Sequence, residues 1–162
     1  MHGSSRLPEL GARGGGWVAG QFVLLLAIAL SALVEVGWPK GARTPMQVVG
    51  LCIIAVGLAL LAAGAVGLGS SLTPFPRPLE RGRLEVGGIY ARARHPIYGG
   101  AILLAAGWSL LFATPLGGAL TLVLLGFFEL KARREEHWLV ERYPEYEAYR
   151  ARTRRRFVPY VL

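Results

Sequence analysis

Two long apolar runs, Trp17 to Trp38 and Met46 to Leu68, restrict what this chain can fold into more than any other feature. Each reaches the roughly 20 residues that an α-helix needs to cross a bilayer core. Hydrophobic residues make up 53% of the 162 and charged ones only 17%, an apolar surplus that belongs in a membrane. Glu35 is the one charge of the first run and lies near its end, with Trp17 and Trp38 flanking the run like an aromatic belt. The run is long for a signal peptide and ends without a small-residue cleavage site. In the second run Gly50, Gly57 and Gly64 recur every seventh residue, on one helical face where another helix can approach closely.

Residues 1–16 are polar and glycine-rich and read as a mobile tail. The longest polar connection, 70–94, carries Pro74, Pro76 and Pro78 with arginines 77, 81, 83, 92 and 94. Ile97 to Phe112 is apolar but short, Thr114 to Gly118 holds a turn signal, and Leu116 to Phe128 returns, which predicts a helical hairpin. "FFELKARREEHWLVERY" has no helix breaker until Pro144, so the second arm is expected to continue past the membrane surface. The expected fold is all-α and polytopic, with about four transmembrane helices. Two of these lie in 17–69, 70–94 is a loop, and 95–162 holds the hairpin and a C-terminal helical segment.

The formal net charge is +8. Positive charge is dense in 70–94 and from Lys131 onward, whereas the turn from Trp38 to Met46 has only Lys40 and Arg43. The arginine asymmetry predicts both termini and both basic segments on the cytoplasmic side of the inner membrane. In the tail, Tyr143, Tyr146, Tyr149 and Tyr160 interleave with Arg150, Arg152 and Arg154 to Arg156, a pattern suited to nucleic acid or to an anionic lipid surface. Beside membrane spans, the lipid surface is the expected partner and nucleic acid is not. Cys52 is the single cysteine, so the chain forms no internal disulfide and offers no cysteine metal cluster.

The most reactive side chains concentrate in "ARARHPIYGG", residues 91–100. Pro96 suits the first turn of a helix and puts His95 at its cap, with Tyr98, Gly99 and Gly100 in a turn whose free N–H groups favour an anion. The two glycines leave that turn without side-chain walls against which a ligand would clash. The plainer alternative is an interfacial collar of Arg92, Arg94, His95 and Tyr98. Glu135 and Glu136 form a second element, either part of a site or neutralising partners for Lys131, Arg133 and Arg134.

In series, "GGIYARARHPIYGG", the hairpin and "EEHWLVERYPEYEAYRARTRRRFVP" resemble the isoprenylcysteine carboxyl methyltransferase family and its relatives, the phospholipid N-methyltransferases. The matching residues are Gly88, Tyr90, Arg94, His95, Pro96, Tyr98 and Gly100, then Glu135 and Glu136, then Glu145, Tyr146 and Tyr149, over about the C-terminal half. The resemblance implies methyl transfer from S-adenosylmethionine, in a cytoplasmic pocket that the C-terminal segment roofs, and makes 95–162 the catalytic half. It implies that Tyr90, His95, Tyr98, Gly99, Gly100 and Glu136 hold the cofactor and that Arg94 and Glu135 lie nearest the transfer. Neighbours on a helix differ by about 100°, so one glutamate is expected to face the site squarely while the other pairs with arginine at the surface. Glu135 is taken as the inward one, although helical phase alone does not choose. No metal is implied, because a sulfonium is already an activated leaving group and catalysis rests mainly on alignment.

The implied acceptor is lipophilic, most simply an isoprenylcysteine-type carboxylate that Arg94 would orient. The alternative is the amine of phosphatidylethanolamine, which needs a base such as Glu135, Glu136 or His95. The full arginine-histidine-proline signature favours the carboxyl type. Two departures stand out: fewer spans than in the eukaryotic carboxyl methyltransferases, and Tyr143-Pro144 where the family commonly has phenylalanine-glycine. A small four-helix transporter would bury an ionisable residue at mid-membrane, and a non-catalytic adaptor would show no response to S-adenosylmethionine.

Overall fold

The computed structural model describes residues 10–11, 14–34 and 36–159. Glu35, Tyr160 and most of the expected tail therefore lie outside the described residues. Five α-helices follow in order: α1 Gly15–Leu30, α2 Arg43–Leu68, α3 Pro96–Leu111, α4 Pro115–Arg142 and α5 Tyr146–Arg152. No strand occurs among the described residues. Three segments are long and apolar enough to cross a membrane, namely Gly15–Leu33, Arg43–Ser71 and Pro115–Arg142. α3 is apolar but has only 16 residues, about 24 Å of helix. The expected all-α, polytopic fold is the one observed, with three long spanning helices and α3 as a shorter apolar helix beside them.

Prolines set several of the boundaries. Pro96 and Pro115 begin α3 and α4, and the Thr114 hydroxyl accepts the Gly117 N–H at 3.2 Å to cap α4. α4 runs unbroken until Pro144 forces Tyr143 into an extended conformation. The first span ends earlier than its apolar run. A 3-10 turn, Ser31–Leu33, closes it, and Val36 then donates its N–H to the Ala113 carbonyl at 3.3 Å. Trp38 donates its indole N–H to the Leu110 carbonyl at 2.9 Å, so it ties down the end of α3 instead of marking the end of α1.

α2 and α3 lie antiparallel, their backbones brought together by the glycine repeat. A Cβ on Gly50 would stand 2.8 Å from the Gly107 carbonyl, and one on Gly57 would stand 2.9 Å from that of Gly100. Lipid gives helices no hydrophobic reason to associate, so this close van der Waals contact is what holds the pair. α3 and α4 form the hairpin, with Ser109 and Thr121 meeting at 3.5 Å. α1 packs chiefly on α4, Trp17 against Phe127 at one end and Ser31 against Gly117 at the other. Ile28, Ile102, Leu124 and Phe128 fill the centre. Phe22, Leu33, Val66 and Leu122 are more than half exposed, an apolar outer surface of the kind that lipid covers. The alternating directions gather the starts of α1 and α3 and the ends of α2 and α4 at one end of the bundle, where the 69–95 loop and the C-terminal segment also meet.

Candidate active site

The loop reaches this end through a 3-10 turn, Gly88–Ala91, entered at Gly88 with φ 56°, a conformation that suits glycine. The turn drives the Tyr90 ring against Gly67 of α2, where a side chain would leave no room, and its hydroxyl donates to the Gly64 carbonyl at 3.1 Å. Arg94 and His95 then pair by backbone with the C-terminal segment: their N–H groups donate to the carbonyls of Arg155 and Arg156 at 3.1 and 2.7 Å. α3 starts directly beneath that seam.

Both glutamates meet this start, on different sides. Tyr98 donates its hydroxyl to Glu135 Oε2 at 2.7 Å, and His95 Nδ1 lies 3.7 Å from the same oxygen. The other ring nitrogen of His95 is 3.2 Å from Glu136 Oε1, which also accepts from Arg94 Nε at 2.9 Å and Arg156 Nε at 3.2 Å. Glu136 is 4% exposed, so it is a buried hub and not an arginine partner at the surface, the expectation that followed from taking Glu135 as the inward one. The reason is the C-terminal segment, which folds back over that face of α4 and brings Arg156 with it. Arg94 is itself committed, its Nη1 donating to the carbonyls of Thr153 and Arg154.

Tyr98 stacks almost parallel to Phe128 at 4.6 Å and to His95 at 5.4 Å between ring centroids. Tyr149 donates to the Tyr90 carbonyl at 2.7 Å. Burial pushes the Tyr149 phenol up to about 12 and those of Tyr90 and Tyr146 higher still, with nearby glutamates adding to the effect at Tyr90 and Tyr146. All three are neutral hydrogen-bond donors at physiological pH. The Tyr146 hydroxyl is fully buried and has no hydrogen-bond partner among the described residues.

These groups surround a cavity of about 390 Å³, within the size range of small-molecule sites. Tyr90, Arg94, His95, Tyr98 and Glu135 line it, together with Tyr146 and Tyr149. Leu25, Leu61, Leu68 and Ala101 give it an apolar side. Gly99, Gly100 and Glu136 are not among the lining residues. A Cβ on Gly99 would fall 2.2 Å from the Phe157 carbonyl, and one on Gly100 would fall 2.7 Å from that of Gly57. The bare glycine faces, expected to admit a ligand, are filled by protein instead.

Residues 45–146 match the family described as phospholipid methyltransferase, a stretch that contains the 3-10 turn, α3 and both glutamates. The chain belongs to the phospholipid methyltransferase family. It is accordingly a membrane methyltransferase, and the apolar outer surface of its helices is that of an integral membrane protein. The match leaves α1 and most of the C-terminal segment outside, although both complete the cavity of this phospholipid methyltransferase. In direct sequence comparison no curated protein matches the chain.

Gln21 and Lys131 are among the cavity residues that the sequence did not single out. Lys131 is fully buried, and its ammonium donates to Gln21 Oε1 and, at 3.1 Å, to the Pro74 carbonyl. A signal was available in each case: Lys131 is one of only two lysines, and Gln21 is an amide within an apolar run.

Proposed function

We propose that this membrane methyltransferase uses S-adenosylmethionine to methylate a lipophilic acceptor, with isoprenylcysteine-type carboxyl O-methylation as the leading reading. The observation that carries it is Tyr146, a wall residue whose buried hydroxyl has no partner among the described residues, in a cavity that also offers Glu135. A buried orphan donor is costly unless a ligand satisfies it. The residues suit this cofactor. Glu135 accepts the Tyr98 hydroxyl on Oε2, with His95 Nδ1 nearby at 3.7 Å, and has acceptor capacity left for an ammonium group or ribose hydroxyls. Tyr90 and Tyr98 supply aromatic faces, and the Tyr98 hydroxyl holds Glu135 in place.

When bound, S-adenosylmethionine supplies a methyl group on a sulfonium sulfur, so the chain itself needs only to orient and to exclude water. Arg94, on the cavity wall but with its guanidinium already bonded to Glu136, Thr153 and Arg154, lends the site a positive charge that suits an anionic acceptor such as a carboxylate without itself being free to grip it. Gly99, Gly100 and Glu136 act in this reading as supports: the glycines seat the roof, and Glu136 fixes His95 and Arg94 from behind. α1 and α2 pack on opposite sides of the hairpin and both reach the cavity, so an acceptor tail has its approach from the bilayer between them. The arginine-rich end that bears the cavity is assigned to the cytoplasmic face, where the cofactor pool lies.

The test is incubation of the purified protein, in lipid, with methyl-labelled S-adenosylmethionine and a total lipid extract. The expected result is a labelled lipophilic product whose label is released by mild alkali, as from a methyl ester. Alkali-stable label in phosphatidylethanolamine derivatives would favour the amine reading. No labelled lipid and no cofactor binding would overturn both.

A further inference from the structure

Along α4 the cavity wall is built by Phe128, Lys131, Glu135 and Leu139, residues three and four apart on one face. Lys131 thus stands between the apolar Phe128 and the hydrogen-bonded Glu135. It is 0% exposed, and the two groups that accept from it, Gln21 and the Pro74 carbonyl, are both neutral. Its ammonium also lies 5.0 Å from the centre of the Tyr98 ring. No described ion pair includes it. Lysine has three donors, and two are used. Glu135, one turn further along α4, attracts the ammonium through space but makes no described ion pair with it. A buried cation whose direct partners are all neutral is expensive to maintain, and an anion in contact with it from the adjoining cavity would reduce that cost.

Resting on the reading of a lipid acceptor given above, we propose that Lys131 binds an anionic oxygen on the acceptor's polar end, a carboxylate or a phosphodiester, and so restricts acceptors to anion-bearing lipids. Geometry assigns this to Lys131 instead of Arg94 because the Arg94 guanidinium is already held by Glu136, Thr153 and Arg154. Lys131 also adjoins the apolar side of the cavity, where Leu25, Leu61 and Phe128 would receive a hydrocarbon tail. The third N–H would then point at the head of a molecule whose tail lies towards the bilayer.

The experiment measures binding of amphiphiles with one alkyl chain and different heads to the purified full chain in neutral detergent. The heads are a carboxylate, a phosphodiester, a trimethylammonium and an alcohol. Wild-type protein should bind a carboxylate or phosphodiester at least tenfold more tightly than the alcohol, and the stronger of the two identifies the source of the anion. Lys131→Met should bring that ratio close to one while affinity for the alcohol stays within twofold, which also reports that the cavity is still folded. Lys131→Arg should retain most of the preference. A wild-type ratio near one, a preference for the ammonium head, or an unchanged ratio in Lys131→Met would overturn the proposal. So would loss of S-adenosylmethionine affinity in Lys131→Met with head-group preference intact, which would give Lys131 to the cofactor. Cofactor affinity of the wild type is measured in parallel: its absence beside intact anion preference would sink the methyl-transfer reading alone.

Discussion

Arg94 donates from Nε to Glu136 at 2.9 Å, and neither side chain is more than 6% exposed. His95 and Arg156 converge on the same carboxylate, so three elements of the cavity end depend on one charge. Glu136→Gln keeps the shape but places an amide donor among donors and leaves the Arg94 guanidinium without its counter-charge, while Arg156 retains its pair with Glu129. Removing one partner of a buried pair costs about 3–5 kcal/mol, so the variant should show a clearly lower unfolding midpoint in detergent. The exposed pair of His137 and Glu141, at a similar 3.2 Å, supplies the control. Glu141→Gln should change the midpoint hardly at all. Equal midpoints for the two variants would mean that Glu136 is not a hub.

The roof over α3 is tested at Gly99. An added methyl there meets the Phe157 carbonyl, a backbone group that moves only if the whole C-terminal segment lifts. Gly99→Ala should destabilise by about 1–3 kcal/mol, the usual range for overpacking, and should also weaken S-adenosylmethionine binding as the roof shifts. Gly118→Ala, where nothing lies within 4 Å, should be neutral in both assays. Thermal unfolding and calorimetry on the two variants decide it. A Gly99→Ala protein with unaltered stability would show that the segment adapts freely.

How far the sequence could be read follows from which features leave a local trace. Pro96, Pro115 and Pro144 mark helix boundaries because proline acts on its own backbone, and the heptad of Gly50, Gly57 and Gly64 declares a face. What lies opposite a face leaves no such trace. The seam between Arg94–His95 and Arg155–Arg156 consists of main-chain bonds, which any side chains could make, so the family resemblance implied a C-terminal roof but no local pattern showed that it would bury Glu136 and press on Gly99. The early stop of α1 has the same origin: Trp38 is drawn to the Leu110 carbonyl, a partner 72 residues away. Lys131 and Gln21 were hidden by distance too, being 110 positions apart in the chain yet bonded to each other.

Orientation in the membrane gives a further prediction. The ends of α2 and α4 and the start of α3 share one end of the bundle, and the arginines of the 69–95 loop and of the C-terminal segment collect there. A reporter fused after Leu162 should therefore read as cytoplasmic, and one inserted at Lys40, in the turn before α2, as external. The opposite pattern would separate the cavity from the cytosolic cofactor.

The contact between Tyr98 and Glu135 bears most directly on catalysis. Tyr98→Phe preserves the stack with Phe128 and His95 and removes only the 2.7 Å hydrogen bond. A hydrogen bond to a charged group is worth about 1.5–3 kcal/mol, so the variant should remain folded and bind S-adenosylmethionine roughly tenfold to a hundredfold less tightly. Glu135→Gln removes the charge on the cavity wall as well, and should lower kcat/KM by about 2–4 kcal/mol, roughly 30-fold to 1,000-fold. Because Tyr98 acts through Glu135 in this reading, the double variant should be little worse than Glu135→Gln alone, a coupling that a cycle of the four proteins measures. Additive losses would mean that the tyrosine hydroxyl contacts the ligand independently. Full turnover in Glu135→Gln would remove the glutamate from the reaction and leave it as a mere anchor for the ring.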